Sequence, residues 1–192
     1  MAASMMLALG ATAPTFALPD VRTGADVTLD DIAGVDGALV MFICNHCPYV
    51  RHVRHGLAEL GRDYTGTGLG IVAISSNDIS SHPNDGPEEM AREADDAGYP
   101  FPYLYDETQD VAKAYSAVCT PDFFLFDGTR ALVYRGRFDD TRPNTLEKVT
   151  GRDLRAAIDL VLAGEPVTDD QYPSMGCSIK WKPDNEPAYV LG

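Results

Sequence analysis

Cys44-Asn45-His46-Cys47 sets two thiols three residues apart with an imidazole between them. Thiols at this spacing suit disulfide exchange: one sulfur attacks, and the other closes an internal bond that frees the bound partner. A free thiol, with a pKa of about 8.5, supplies little thiolate at neutral pH, so the site needs a feature that lowers it. Pro48 follows at once, and proline favours the first position of a helix. Cys47 would then cap that helix, beside its unpaired N–H groups and the positive end of its dipole. His46, when protonated, stabilises a thiolate by charge and favours the dithiol over the disulfide. Cys44 is expected to be the outer, attacking thiol and Cys47 the inner, resolving one, although the cap position puts Cys47 nearest the free N–H groups.

The same motif is also half of a zinc site, with Cys44, His46 and Cys47 as ligand types. A structural zinc needs a second close pair, whereas Cys119 and Cys177 are separate singles, so neither metal nor cofactor is expected. Cys119 stands two residues before Pro121, and Cys177 lies on a tail long enough to reach the same face. They are candidates for a second redox pair or relay; the plainer reading is a small buried residue and an inert tail thiol. His52 and His55 read as solvated positions on the helix after the motif, and His82 has no motif around it.

The elements that position the dithiol can be read from periodicity. Gly37–Ile43 is continuously apolar, as a strand buried on both faces would be. Tyr49, Val50, Val53, Leu57 and Leu60 then fall at helical spacing, ending at Gly61. Leu69–Ser76 is a second buried strand, and a polar loop over 76–87 leads through Pro87 to a helix over 88–97. Thr108-Gln109-Asp110 can cap a helix over 111–118, which stops before Thr120-Pro121. Asp127–Arg130 is a hairpin turn between Phe123–Phe126 and Ala131–Tyr134. Thr150 can cap a last helix over 153–163. Short strands are expected at 16–20 and 27–29, and the tail from Glu165 as coil packed on the body. This order implies a mixed sheet with helices on both faces, in one domain over 1–192 with its core at about 10–164.

Composition narrows the class. The 192 residues are 45% hydrophobic and 23% charged, ordinary for a globular chain. A net charge of −14 argues against nucleic acid and anionic membrane as partners. Four cysteines are too few for a disulfide scaffold, and the apolar opening has no basic residue before Arg22, so a cytoplasmic protein is expected. Oligomeric state stays open.

Gly10-Ala11-Thr12-Ala13-Pro14, Phe16, Leu18-Pro19-Asp20, Val27, Leu29, Asp31-Ile32 and Gly34 resemble the lead-in of the alkyl hydroperoxide reductase and thiol-specific antioxidant group. With Cys44–Val50 and the tail Gly176–Lys182, the resemblance runs from residue 10 to about 185, and it implies a thioredoxin-like fold. In peroxiredoxins the peroxide-reducing Cys precedes a proline and corresponds to Cys47, but their helper Pro and Thr fall on Val40 and Cys44. Their helper Arg falls on Pro121. A proline there resembles the cis-Pro of thioredoxins, with Thr120 before it offering free backbone to a substrate strand. The buried carboxylate of thioredoxins has no counterpart over Ala38–Ile43, so proton transfer must use His46, water or a group from elsewhere. The implied activity is thiol–disulfide exchange on protein or small-molecule disulfides, regenerated by a thiol reductant. Its potential should lie above the roughly −270 mV of thioredoxin. The alternatives are a peroxidase in which Cys47 attacks hydroperoxide, and a non-catalytic metal- or partner-binding protein.

Overall fold

The computed structural model describes residues 2–190. A five-stranded mixed sheet forms the centre, in the order β6 (Tyr103–Tyr105), β5 (Leu69–Ser75), β4 (Gly37–Phe42), β8 (Asp122–Asp127) and β9 (Leu132–Gly136). β4 runs parallel to β5 and antiparallel to β8, and β8 and β9 form the expected hairpin. Every residue of β4 is buried, because both faces of the sheet are covered. Leu39 and Met41 point into one core, with α2 (Pro48–Asp63), α3 (Pro87–Ala97) and α5 (Arg152–Leu162). Ala38, Val40 and Phe42 point into the other, with α4 (Asp110–Ala114) and the N-terminal strands β2 (Ala17–Pro19) and β3 (Asp26–Thr28). Each fully buried large side chain of β4 contributes roughly 1.5–3 kcal/mol, so the strand that ends at the dithiol is among the best anchored.

Thr28 ends β3 and caps the short α1 (Leu29–Ile32), exchanging hydrogen bonds with Asp31 in a capping box. α2 begins at Pro48 with Cys47 as its N-cap, as the proline implies. Its buried residues Val50, Val53, Leu57, Ala58 and Leu60 follow the expected stripe.

Four expectations need correction. β6 falls between α3 and α4, where no strand was expected; three residues hemmed by Pro102 and Asp106 carry too short a pattern to register. α4 stops at Ala114, well before Val118, because Ser116 takes a left-handed backbone (φ 52°) and the Ala117 N–H turns back to the Ala112 carbonyl. α5 starts at Arg152 with Gly151 at φ 67° as its cap, and Thr150 only receives the Arg152 N–H at 3.3 Å. A side chain at Gly151 would meet the Phe138 ring, so the close turn excludes other residues.

The largest correction is the tail. Rather than coil throughout, it contains β10 (Met175–Ser178), the middle strand of a second small sheet between β1 (Ala2–Ala3) and β7 (Cys119–Thr120). Cys177 stands opposite Thr120, and Ser178 opposite Cys119. Ile179 donates its N–H to Val118 and is buried, while Lys180 exchanges backbone contacts with Asn77 and Asp78. The alternation that would reveal β10 is hidden by Gly176, a weak strand former. That glycine is required, since a Cβ on it would lie 1.9 Å from the Thr120 carbonyl oxygen.

Candidate active site

The dithiol lies where β4 gives way to α2, at one end of the sheet, under the short β7–β10 pair. Both sulfur residues are buried, Cys44 at 1% and Cys47 at 0% exposure, so the expected outer and inner thiols are not distinguished by access. All four cysteines are reduced. Thr120 touches both thiols of the motif: its hydroxyl lies 3.2 Å from Cys44 Sγ, and its carbonyl accepts from Cys47 Sγ at 3.2 Å. The Thr120–Pro121 peptide is cis. The Thr120 backbone is not free, however, because β10 already pairs with it. The open edge expected for a substrate strand is occupied by the chain's own tail.

His46 is held by a residue that sequence reasoning did not single out. Asp85 ends the 3₁₀ turn Pro83–Asp85 and is fully buried. Its Oδ1 accepts the backbone N–H groups of Asn45 (2.9 Å) and His46 (3.1 Å). Its Oδ2 accepts from Asn77 Nδ2 (2.8 Å) and meets His46 Nδ1 at 2.5 Å. That same ring nitrogen is 3.8 Å from Cys44 Sγ. A proton on Nδ1 therefore bonds mainly to the carboxylate and only weakly to the sulfur. Asp85 supplies, from a loop, the buried carboxylate that β4 lacks. A D-G-P turn before a helix was its only sequence signal. The His82 ring packs at a tilt against His46 with centroids 4.7 Å apart, and burial first, then the neighbouring imidazole, push its pKa down.

The two thiols are pushed in opposite directions. The hydrogen bond with Cys47 comes first in pushing the Cys44 thiol far above its ordinary range, followed by burial and the Asp85 carboxylate. The Cys47 thiol is drawn down to about 5, chiefly by the hydrogen bond from Cys44; burial opposes this, and the Cys177 thiol, the Val50 N–H and the Cys177 N–H assist. These directions favour ionisation of Cys47, at the helix cap, over ionisation of Cys44, beside a carboxylate. After the Cys47 hydrogen bond and burial, Asp85 adds a negative charge next to Cys44 that its sequence neighbours do not reveal.

Cys119 is fully buried, and burial first, then the Asp122 charge, push its thiol up strongly. Cys177 is half-buried and its thiol is pushed up to about 12 by burial and then by the bond with Cys47. In the β7–β10 register Cys177 shares a face with Thr120, and Cys119 with Ser178, so the fold brings Cys177 to Cys47 rather than to Cys119. Asp122, the first residue of β8, is a second buried carboxylate that the sequence reading passed over; burial pushes it up to about 7.

His52, expected to be solvated, donates to or accepts from Thr141 Oγ1 at 2.8 Å and is half-buried, whereas His55 is exposed. It lines a cavity of about 60 Å³ with Tyr49, Pro121, Arg137 and Met175 beside the dithiol. Cys44 Sγ, the His46 ring and the Asp85 carboxylate lie within 4.8 Å of one another and could supply three donors to a metal ion. The Asp85 oxygens are already engaged by four N–H groups or ring nitrogens, which opposes that use.

A sequence model of the AhpC/TSA family matches residues 9–135. No curated protein matches the chain. Among solved structures, an uncharacterised conserved protein from Geobacillus kaustophilus is similar at 54% identity and TM-score 0.93, covering 95% of this chain and 97% of its own. A hypothetical protein from Sinorhizobium meliloti is similar at 49% identity and TM-score 0.92, covering 95% and 99%. The thioredoxin domain of a thiol-disulfide oxidoreductase from Bacteroides vulgatus shares 20% identity at TM-score 0.60, over 78% of this chain and 97% of that one. That likeness shows the fold, which is thioredoxin-like.

Proposed function

The chain belongs to the AhpC/TSA family, and on that frame we propose that it is a thiol–disulfide oxidoreductase working through Cys44 and Cys47. The observation that carries this reading is the convergence of the Cys44 and Cys47 sulfurs on Thr120, each at 3.2 Å, with the His46 ring beside Cys44. A lone thiolate would serve attack only; a thiolate with a protonated neighbour serves attack and release.

In the forward direction the Cys47 thiolate attacks one sulfur of R–S–S–R′ and expels R′S⁻, which takes up a proton. Cys44 gives up its proton and attacks Cys47 in the mixed disulfide, expelling RS⁻. Dithiol and disulfide become an internal Cys44–Cys47 disulfide and two thiols. His46, oriented by Asp85, adjoins Cys44 for the proton movement. Protein or small-molecule disulfides in the cytoplasm are the substrate class, and a thiol reductant restores the dithiol.

The test is the reaction of the fully reduced protein with a small aromatic disulfide, followed by release of the coloured thiol. A rate far above that of a free thiol, abolished in Cys47→Ser, supports the function. A rate equal to a free thiol's overturns it.

The low Cys47 thiol and the family favour a second reading, in which Cys47 attacks a hydroperoxide. The O–O bond would break, the alcohol (or water) would leave with a proton, Cys47 would become a sulfenic acid, and its condensation with the Cys44 thiol would give the disulfide and water. Thiol loss with hydrogen peroxide decides between them: a rate no better than a free thiolate's leaves disulfide exchange alone.

A further inference from the structure

The tail strand does more than cover the site. β10 lies antiparallel on β7, directly opposite the residue that precedes Pro121 and touches both catalytic sulfurs. This is the place expected for the backbone of a substrate peptide. The strand is built into that place. Gly176 gives the approach, since any side chain would collide with the Thr120 carbonyl. The Ile179 N–H donates to the Val118 carbonyl, and the buried Ser174 and Ile179 hold both ends. The residue it delivers to the sulfurs is a cysteine: both the thiol and the backbone N–H of Cys177 interact with Cys47. Cys177 is half-buried, whereas Cys44 and Cys47 are buried.

We propose that β10 is a built-in substrate strand whose Cys177 alternates with Cys44 as the disulfide partner of Cys47. The proposal rests on the dithiol chemistry proposed above. Once the internal Cys44–Cys47 bond has formed, the Cys177 thiolate attacks Cys47. The Cys47–Cys177 bond forms, the Cys44–Cys47 bond breaks, and Cys44 leaves as thiolate and takes up the proton that Cys177 lost. No electrons are gained or lost in this step; the disulfide moves from a buried pair to one with an accessible sulfur. A small thiol then attacks Cys177, expelling Cys47 as thiolate. A second molecule of the same thiol attacks the mixed disulfide, restores the Cys177 thiol and leaves as the small-molecule disulfide.

The decisive experiment oxidises the reduced full chain with one equivalent of diamide, quenches it in acid, alkylates the remaining thiols and maps the bonds by peptide mass spectrometry. Cys47–Cys177 peptides are expected beside Cys44–Cys47 in the wild type, and as the main internal bond in Cys44→Ser. Regeneration of the oxidised wild type by a small monothiol should be severalfold faster than that of oxidised Cys177→Ser. A bond confined to Cys44–Cys47, with Cys177 fully alkylated in both wild type and Cys44→Ser, overturns this inference and leaves the proposed function standing. A wild-type chain that forms no internal disulfide overturns both.

Discussion

Asp85 and His46, 39 residues apart in sequence, meet at 2.5 Å, and the same carboxylate binds the two backbone N–H groups that open the turn into α2. One buried anion thereby fixes the imidazole and the loop that carries the dithiol. Asp85→Ala leaves these donors without a partner and should cost on the order of 3 kcal/mol in urea unfolding. Asp85→Asn should cost less. The Asp85 charge also raises the Cys44 thiol, so in a Cys47→Ser background Asp85→Asn should move the alkylation of Cys44 to lower pH. An unmoved profile would remove Asp85 from the electrostatics of the site.

Thiolate absorbance should report the hub sulfur. The reduced protein should show one thiolate titrating near pH 5, absent in Cys47→Ser and shifted upward in Cys44→Ser, which loses the principal stabilising hydrogen bond. Stabilised thiolate favours the dithiol, so equilibration against a glutathione buffer should place the couple above about −270 mV. A lower value contradicts the assignment.

Asp122 should make stability depend on pH. Its carboxyl titrates at 3.8 when exposed and at about 7 in the fold, and its Oδ2 has no hydrogen-bond partner among the described residues. Between these values the native state holds a proton that the unfolded chain has lost. The contribution is fully present near pH 4, falls as pH rises through 7 and is then exhausted. At about 1.4 kcal/mol per unit, the penalty above pH 7 is on the order of 4 kcal/mol. Asp122→Asn should flatten the slope in denaturant titrations from pH 5 to 8 and leave the protein more stable at pH 8.

Gly176→Ala should displace β10, because its Cβ would lie 1.9 Å from a backbone oxygen that cannot rotate away. A loss of roughly 1–3 kcal/mol is expected. Hydrogen exchange should quicken at Ile179, whose N–H bonds Val118, while the amides of β4 stay protected. Unchanged exchange at Ile179 would show that the strand tolerates the substitution.

The frame of this fold was legible because its signals are local. The all-apolar run of β4, the Cys47-Pro48 cap and the turn between β8 and β9 each lie within a few residues. The site was legible only in part. Cys44, His46 and Cys47 lie together in the turn their spacing marked out, and Thr120, placed there by the resemblance, touches both sulfurs. Asp85 and the Cys47–Cys177 contact could not be read, because each depends on where a polar loop or a glycine-bearing tail returns to the sheet. The Asp85 charge beside Cys44 was hidden for the same reason; it adds to the Cys44–Cys47 hydrogen bond and to burial from outside the motif.

Ala2 pairs with Gly176 and Ala3 with Met175, so the two ends of the chain meet within the small sheet over the thiols. Closing that ribbon joins residues separated by nearly the whole sequence, and contacts of such range form late in folding. The five-stranded sheet uses pairings of shorter range and can form before that ribbon closes. Until the ribbon closes, the Thr120 edge has no β10 to pair with. Covering of the thiols is therefore a late step of folding, set by the two segments of the small sheet that lie farthest apart in sequence.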